Sequence, residues 1–226
     1  MMPQDPAATL DSLLHSRHSC RAFRADPVPD AVIEEITASA GRVPSWCNSQ
    51  PWQIIVTRAA ETDRFRDALL DAATSQPPQP DLEWPRQYVG VYKERRRTCG
   101  FQLYDSLGIP KEDRAATHAQ MLGNYRLFGA PHVAIVTTEA DLGPYGAMDT
   151  GGFVALFTLA AQARGVASIP QAAVAAQAPF LRDWFAIPAE RHILCAISFG
   201  YADTDHPANA FRTERAPLPE ILDWRG

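Results

Sequence analysis

The sequence predicts one compact domain of the α/β or α+β class. Three observations lead there. The chain has 226 residues, long for one domain and short for two. Hydrophobic residues make up 46% of it, enough to build a substantial core. Apolar runs of strand length, at 53–57, 132–137 and 191–199, are separated by longer segments with helical spacing.

The elements follow in order. Leu10, Leu13 and Leu14 fall at helical spacing within 7–16. A second helix follows Pro29, with Asp30 near its start and Val32, Ile33 and Ile36 on one face. A polar loop at 44–52, bounded by prolines, leads into the strand 53–57, and a helix follows near 60–73. Ser75 to Pro80 holds three prolines in six residues and must break the chain's regular structure. From Tyr88 to Gly108 the pattern is helical and carries the run Lys93-Glu94-Arg95-Arg96-Arg97, which reads as a solvated face. A further helix is expected from Lys111 to Phe128, ended by Gly129-Ala130-Pro131. The next run, His132–Thr137, reads as a buried strand. Tyr145–Arg164 is almost wholly apolar, so it is expected at the centre of the fold, with Gly165 as its cap. A short segment, 166–170, leads to a helix around 172–185, and 191–199 is the last core strand. From His206 to Gly226 the chain is proline-rich, with Phe211, Leu218, Ile221, Leu222 and Trp224 as apolar anchors, and is expected to pack on something. No internal repeat or low-complexity tract is visible.

Composition excludes several classes of function. A net charge of −5 disfavours nucleic acid or an anionic membrane as partner. No stretch has the apolar length that spans a bilayer. Met1–Asp11 lacks the basic and apolar regions of a signal peptide, which points to the cytoplasm. The cysteines Cys20, Cys47, Cys99 and Cys195 form no C-x-x-C pair and the histidines are scattered, so neither a metal site nor a disulfide framework is expected.

Two short segments carry the chemistry. Arg17-His18-Ser19-Cys20-Arg21 is a dense patch of donors just after a helix, and guanidinium forks match phosphate oxygens. The same residues also read as the solvated end of a helix, where cations complement the dipole. Pro44-Ser45-Trp46-Cys47-Asn48-Ser49-Gln50-Pro51-Trp52 mixes amides, a hydroxyl and tryptophans beside a strand, which suits a flat heteroaromatic ligand. Its polar residues read equally as turn formers. Phosphate at one end and a flat ring at the other describe a nucleotide-like cofactor. No G-x-G occurs, so a phosphate site here must use side chains rather than a glycine-rich turn.

Together and in this order, these pieces resemble the nitroreductase family of FMN-dependent NAD(P)H oxidoreductases. The family's opening motif is Arg17 to Arg21, followed by its helix at Val28-Pro29-Asp30-Ala31-Val32-Ile33-Glu34-Glu35-Ile36. The P-S-x-x-N-x-Q-P-W loop is matched at every fixed position from Pro44 to Trp52. Gly165 through Ala172 matches a late segment, and Arg215-Ala216-Pro217-Leu218 the terminal one. The resemblance implies an α+β fold with a central, mostly antiparallel sheet surrounded by helices. It covers the whole chain, 1–226, as one domain, with a variable lid at about 75–115 and an extended dimerisation arm at 206–226. It also implies a homodimer whose C-terminal arm wraps the partner subunit, with two FMN sites at the interface, each built from both chains.

By motif position, Arg17, His18, Ser19 and Arg215 would clamp the phosphate and ribityl chain, with Arg212 a further candidate. Arg21 would lie at the pyrimidine edge. Pro44, Ser45, Trp46, Asn48 and Gln50 would reach that flavin from the other subunit. Pro170, Gln171 and Ala172 would cover one flavin face, with a backbone N–H near Gln171 directed at N5. Asn124 or Arg126 is a further contact. His18 and Gln171 depart from the basic and acidic residues common at those places, which bears on the clamp's pH dependence and on flavin potential. The implied activity is reduction of nitroaromatic compounds to hydroxylamines or amines, with NADH or NADPH as donor and ping-pong kinetics. No side-chain acid is required. Trp46, Tyr88 and Tyr92 would wall a small aromatic acceptor. The same scaffold also fits reduction of quinones, flavins or enones, and a non-enzymatic FMN-binding protein.

Overall fold

A computed structural model describes residues 5–226, so the first four residues of the Met1–Asp11 segment lie outside the described residues. The helices and strands run α1 (Pro6–Ser16), α2 (Asp30–Ala40), β1 (Gln53–Val56), α3 (Ala59–Ser75), α4 (Gly90–Ser106) and α5 (Arg114–Leu122), then β2 (His132–Glu139), α6 (Gly143–Gln162), β3 (Ala167–Gln171), α7 (Ala178–Phe185) and β4 (Arg191–Gly200). The four strands form one sheet in the order β1-β2-β4-β3, antiparallel throughout. Strands β1 and β3 are therefore its two edges. The class is α+β.

The central strand β2 shows why the sheet has helices on both faces. Successive side chains on a strand point to opposite faces. Ala134 and Val136 join a cluster with Ile33 and Ile36 of α2 and Phe153 and Phe157 of α6. Val133 and Ile135 join the other cluster, with Phe65 and Leu69 of α3 and Leu181 of α7. A strand buried on both sides reads as the continuous apolar run seen in its sequence. His132, at its start, is fully inside: Nε2 accepts from the Val28 N–H at 3.0 Å and Nδ1 lies 2.9 Å from the Thr57 carbonyl. It ties the chain before α2 to the chain after β1.

Three expectations are corrected. The segment 166–170 is a strand, β3, held by its pairing with β4 (Ile169 opposite Ser198, Pro170 opposite Ile197). Pro170 is tolerated because β3 is an edge, where a missing N–H breaks no ladder bond. The helix expected over 111–128 is shorter. Asp113 caps its start by accepting from the Ala116 N–H, and the chain turns after Leu122. At Gly123 a Cβ would fall 2.8 Å from the Phe128 ring, so only glycine lets that turn close. Finally, α6 is not buried all round. Pro144, Met148, Gly151 and Ala155 form an exposed stripe at helical spacing, with Met148 62% exposed. Leu10 and Leu14 of α1 are exposed too, and α1 buries no residue.

After Gly200 the chain runs in extended segments with short 3-10 turns at Pro207–Asn209 and Leu218–Glu220, and leaves Leu218, Ile221 and Trp224 exposed. Among the described residues, no helix is long and apolar enough to cross a membrane, and no group of three or more His, Cys, Asp or Glu is placed to hold a metal ion. All four cysteines are free thiols.

Candidate functional site

Helix α1 ends where Arg17 turns extended, its N–H donating to the Leu13 carbonyl. The next residues run beside the edge strand β3. Ser19 bridges to Ser168, and the Cys20 N–H donates to the Ser168 carbonyl at 3.1 Å. Asn209 fixes this segment from the far end of the chain. Its Oδ1 accepts from the Arg21 N–H at 2.7 Å, and its Nδ2 donates to the carbonyls of Ala22 and Asp203. Asn209 is buried within a short 3-10 turn, Pro207–Asn209. That lock brings Phe211, Arg212, Thr213 and Arg215 against the N-terminal segment.

The result is a cavity of about 660 Å3 lined by Arg17, His18, Ser19, Arg21, Arg212 and Arg215, together with Leu14, His15, Cys99, Phe211 and Thr213. Four arginines share it and no carboxylate lines it. Among the described residues none of the four guanidinium groups has an ion-pair partner. Arg21 lies over the Phe211 ring, 5.9 Å from its centre, and donates to the Ser19 carbonyl. Arg212 and Arg215 are steadied by backbone carbonyls of their own segment.

The charges in this cavity oppose one another. Burial, and then the charge of Arg215, holds the Arg17 guanidinium below its usual range. Burial lowers that of Arg21. His18 is pushed down chiefly by burial; its contact with Ser16 opposes this, and the charges of Arg212, Arg17 and Arg21 add to it. Its Nδ1 lies 3.0 Å from the Ser16 carbonyl and so carries the hydrogen. Its Nε2 is buried without a hydrogen-bond partner. The four uncompensated cations fit an anionic group with several acceptor oxygens, such as a phosphate, whereas the lone pair on the orphaned Nε2 fits a hydroxyl donor.

The late segment lies beside this cavity, since Ser19 pairs with β3 two residues before Pro170. Pro170 and Ala172 are exposed, whereas the Gln171 side chain points inward. Its Nε2 donates to the Asn124 carbonyl at 2.9 Å, and its Oε1 accepts from the Ser198 hydroxyl. Asn124 and Gln171, read from separate parts of the sequence, are thus neighbours. Arg126 is exposed.

The loop 44–52 is elsewhere. It leads into β1, the opposite edge of the sheet from β3, three strand spacings or about 14 Å away. It lines a separate cavity of about 290 Å3 with Tyr145 and Leu142. Within it the Ser45 hydroxyl accepts from the Gln50 N–H at 3.0 Å, and the Gln50 amide donates to the Asn48 carbonyl at 3.1 Å. Pro44 is exposed, as is the Trp46 side chain. Tyr88 precedes α4 and Tyr92 lies in its first turn; both are exposed, and neither lines the arginine cavity. One chain therefore does not bring its two motifs to one place. Sequence reasoning missed Asn209 and Cys99. Neither sits in a motif, and only the fold sets them beside Arg21.

Comparison with known proteins gives a consistent result. A family model described as the nitroreductase family matches residues 14–201. The nitroreductase NfnB of Mycolicibacterium smegmatis is 35% identical over 221 residues, covering 96% of this chain and 92% of that protein. A 4-nitrobenzoate reductase of Pseudomonas putida is 33% identical, with 96% and 95% covered. The crystal structure of the FMN-dependent nitroreductase NfnB from Mycobacterium smegmatis, in complex with NADPH, matches with a TM-score of 0.93 at 33% identity, over 98% of this chain and 100% of that one.

Proposed function

This chain belongs to the nitroreductase family, and from that premise we propose that it is an FMN-dependent NAD(P)H oxidoreductase whose acceptors are nitroaromatic compounds. The observation that carries the reading is the convergence of Arg17, His18, Ser19, Arg21, Arg212 and Arg215 on one cavity free of carboxylates. When bound, FMN supplies hydride uptake from NAD(P)H and electron transfer to the acceptor. The protein's own contribution is to bind and orient. Arg17, Arg212 and Arg215 would hold the phosphate, Ser19 the phosphate and ribityl end, and His18, through its unprotonated Nε2, would accept from a ribityl hydroxyl. Arg21 favours negative charge at the pyrimidine edge. Pro170 and Ala172 cover one ring face, and the backbone near Gln171 supplies the N–H for N5.

The active form is a homodimer. Three observations support it: the two motifs lie at opposite sheet edges, α1 and α6 expose apolar residues, and the tail leaves Leu218, Ile221 and Trp224 (83% exposed) largely uncovered. Exposed apolar stripes of this kind mark protein interfaces. The tail then wraps the partner, and Pro44, Ser45, Trp46, Asn48 and Gln50 complete the partner's site. Trp46, Tyr88 and Tyr92 flank a flat acceptor, with α4 as part of the lid. Donor and acceptor occupy one cleft in turn, which gives ping-pong kinetics; two NAD(P)H, supplying four electrons, would take a nitro group to the hydroxylamine, and a third would take it to the amine. Dependence on NAD(P)H goes with a cytoplasmic location.

The test is NAD(P)H oxidation by FMN-loaded protein, without oxygen, with 4-nitrobenzoate, a quinone, an enone and free FMN as alternative acceptors. Turnover fastest with the nitroaromatic, yielding its hydroxylamine, supports the reading. Turnover confined to the quinone or enone overturns the acceptor assignment, and no turnover with any acceptor overturns the enzyme.

A further inference from the structure

The loop 44–52 holds a strained shape. Cys47, Asn48 and Gln50 all lie in the left-handed region, with φ of 49, 57 and 49°. Side chains other than glycine adopt it at a cost, and such conformations persist where the surroundings impose them. The loop's own hydrogen bonds (Gln50 to Ser45, Gln50 to Asn48, and the backbone bonds Asn48 to Ser45 and Ser49 to Trp46 of a short 3-10 turn) link it only to itself.

The surroundings that impose the shape are two buried charged residues outside any motif. Asp149 on α6 is 9% exposed, and its Oδ2 accepts from the Trp46 N–H at 3.0 Å. Tyr145, one turn earlier, meets the Trp46 ring edge-on with centroids 4.4 Å apart. Gly152, one turn later, leaves room for Val43, whose Cγ2 would be 3.0 Å from a Cβ there. Positions 145, 149 and 152 share one helix face, so α6 presents a continuous seat for the loop's entry. At the exit, Arg191 on β4 is 9% exposed. Its Nη2 donates to the Pro51 carbonyl at 2.7 Å while its Nε donates to the Thr137 hydroxyl at 2.8 Å. Thr137 is on β2, so the guanidinium joins the loop to the sheet.

We propose that Asp149 and Arg191 are positioning residues that hold loop 44–52 in the conformation in which it meets the flavin. This rests on the reading of that loop as a flavin-binding element. Neither residue touches the cofactor; each acts through a backbone group of the loop. A buried carboxylate with no ion-pair partner among the described residues, and a buried guanidinium whose ion pair to Glu139 is long at 3.8 Å, are poor choices for general stability, since apolar residues of similar size serve that purpose as well. Both are suited to fixing a donor and an acceptor at the two ends of a strained turn.

The experiment is titration of apoprotein with FMN, followed by flavin fluorescence, with the thermal midpoint of each apoprotein measured alongside. Asp149→Leu and Arg191→Met are expected to weaken FMN binding ~10-fold, the size of one lost hydrogen bond to a charged group. Asp149→Asn keeps an oxygen acceptor and is expected to bind FMN as the parent does. Cys47→Gly, introduced into either weakened variant, is expected to recover several-fold of the loss, because glycine adopts the left-handed region freely. A lower thermal midpoint with unchanged FMN affinity, or a loss that Cys47→Gly does not recover, overturns the proposal. If Asp149→Leu does not fold, the Arg191→Met and Cys47→Gly pair decides by the same criteria. Asn48→Ala separates the premise from the proposal. Unchanged FMN affinity in that variant overturns the loop's role in flavin binding. A weakened Asn48→Ala beside unaffected Asp149→Leu and Arg191→Met overturns the anchors alone.

Discussion

Replacing Arg17 by alanine isolates the role of the arginine cavity. The Arg17 side chain has no ion-pair partner among the described residues, and burial, followed by the cation of Arg215, holds its guanidinium below the usual range. Its removal therefore relieves repulsion in the apoprotein and costs the fold little. With a phosphate present, the same side chain donates a charge-assisted hydrogen bond in a half-buried setting. Such bonds contribute about 1.5–3 kcal/mol, so FMN affinity should fall about 10- to 100-fold. The assay is flavin fluorescence titration with FMN and with riboflavin, which lacks the phosphate. Arg17→Ala should weaken FMN by that factor, leave riboflavin nearly unchanged, and not lower the apoprotein's thermal midpoint. Equal weakening of both flavins, or a folded variant that binds FMN as tightly as the parent, would refute the phosphate assignment.

Three other outcomes are expected. The pKa of His18 is lowered in the folded protein, chiefly by burial, so below the usual value of about 6.5 the unfolded chain binds a proton that the folded apoprotein does not. Stability then falls as pH falls through that window. Urea unfolding of apoprotein at about pH 7.5 and 5.5 should show a larger acid loss in the parent than in His18→Gln. Trp46→Ala should retain FMN while raising the KM for a nitroaromatic about 2- to 10-fold, the worth of one aromatic contact, in steady-state kinetics. His132→Leu strands the buried Val28 N–H and Thr57 carbonyl and should cost about 2–5 kcal/mol in urea unfolding, with kcat per bound flavin unchanged.

Much of this was legible in the sequence, because local signals and local structure agreed. Pro29 and Asp30 begin a helix where expected, and the apolar run from His132 becomes the strand buried on both faces. Other features depend on distant partners. Ala167–Gln171 contains Ser168 and Pro170 and has no strand pattern of its own; only pairing with β4 makes it one. The apolar character of Tyr145–Arg164 suggested a central helix, yet composition does not distinguish a stripe facing the core from one left for a partner. At the site, Arg17 to Arg21 stood out as a cluster. Asn209, Cys99, Asp149 and Arg191 did not, since each acts on residues far from it in the chain. Such contacts leave no periodicity or spacing to read.

The most direct test of the account is the visible spectrum of FMN-loaded protein, without oxygen, on addition of NADH or NADPH and then of 4-nitrobenzoate. The account predicts that the flavin band bleaches with the nicotinamide and returns with the nitro compound, and that Arg17→Ala protein fails to retain the band after gel filtration. A parent protein that takes up no FMN, or whose bound flavin neither nicotinamide reduces, would contradict it.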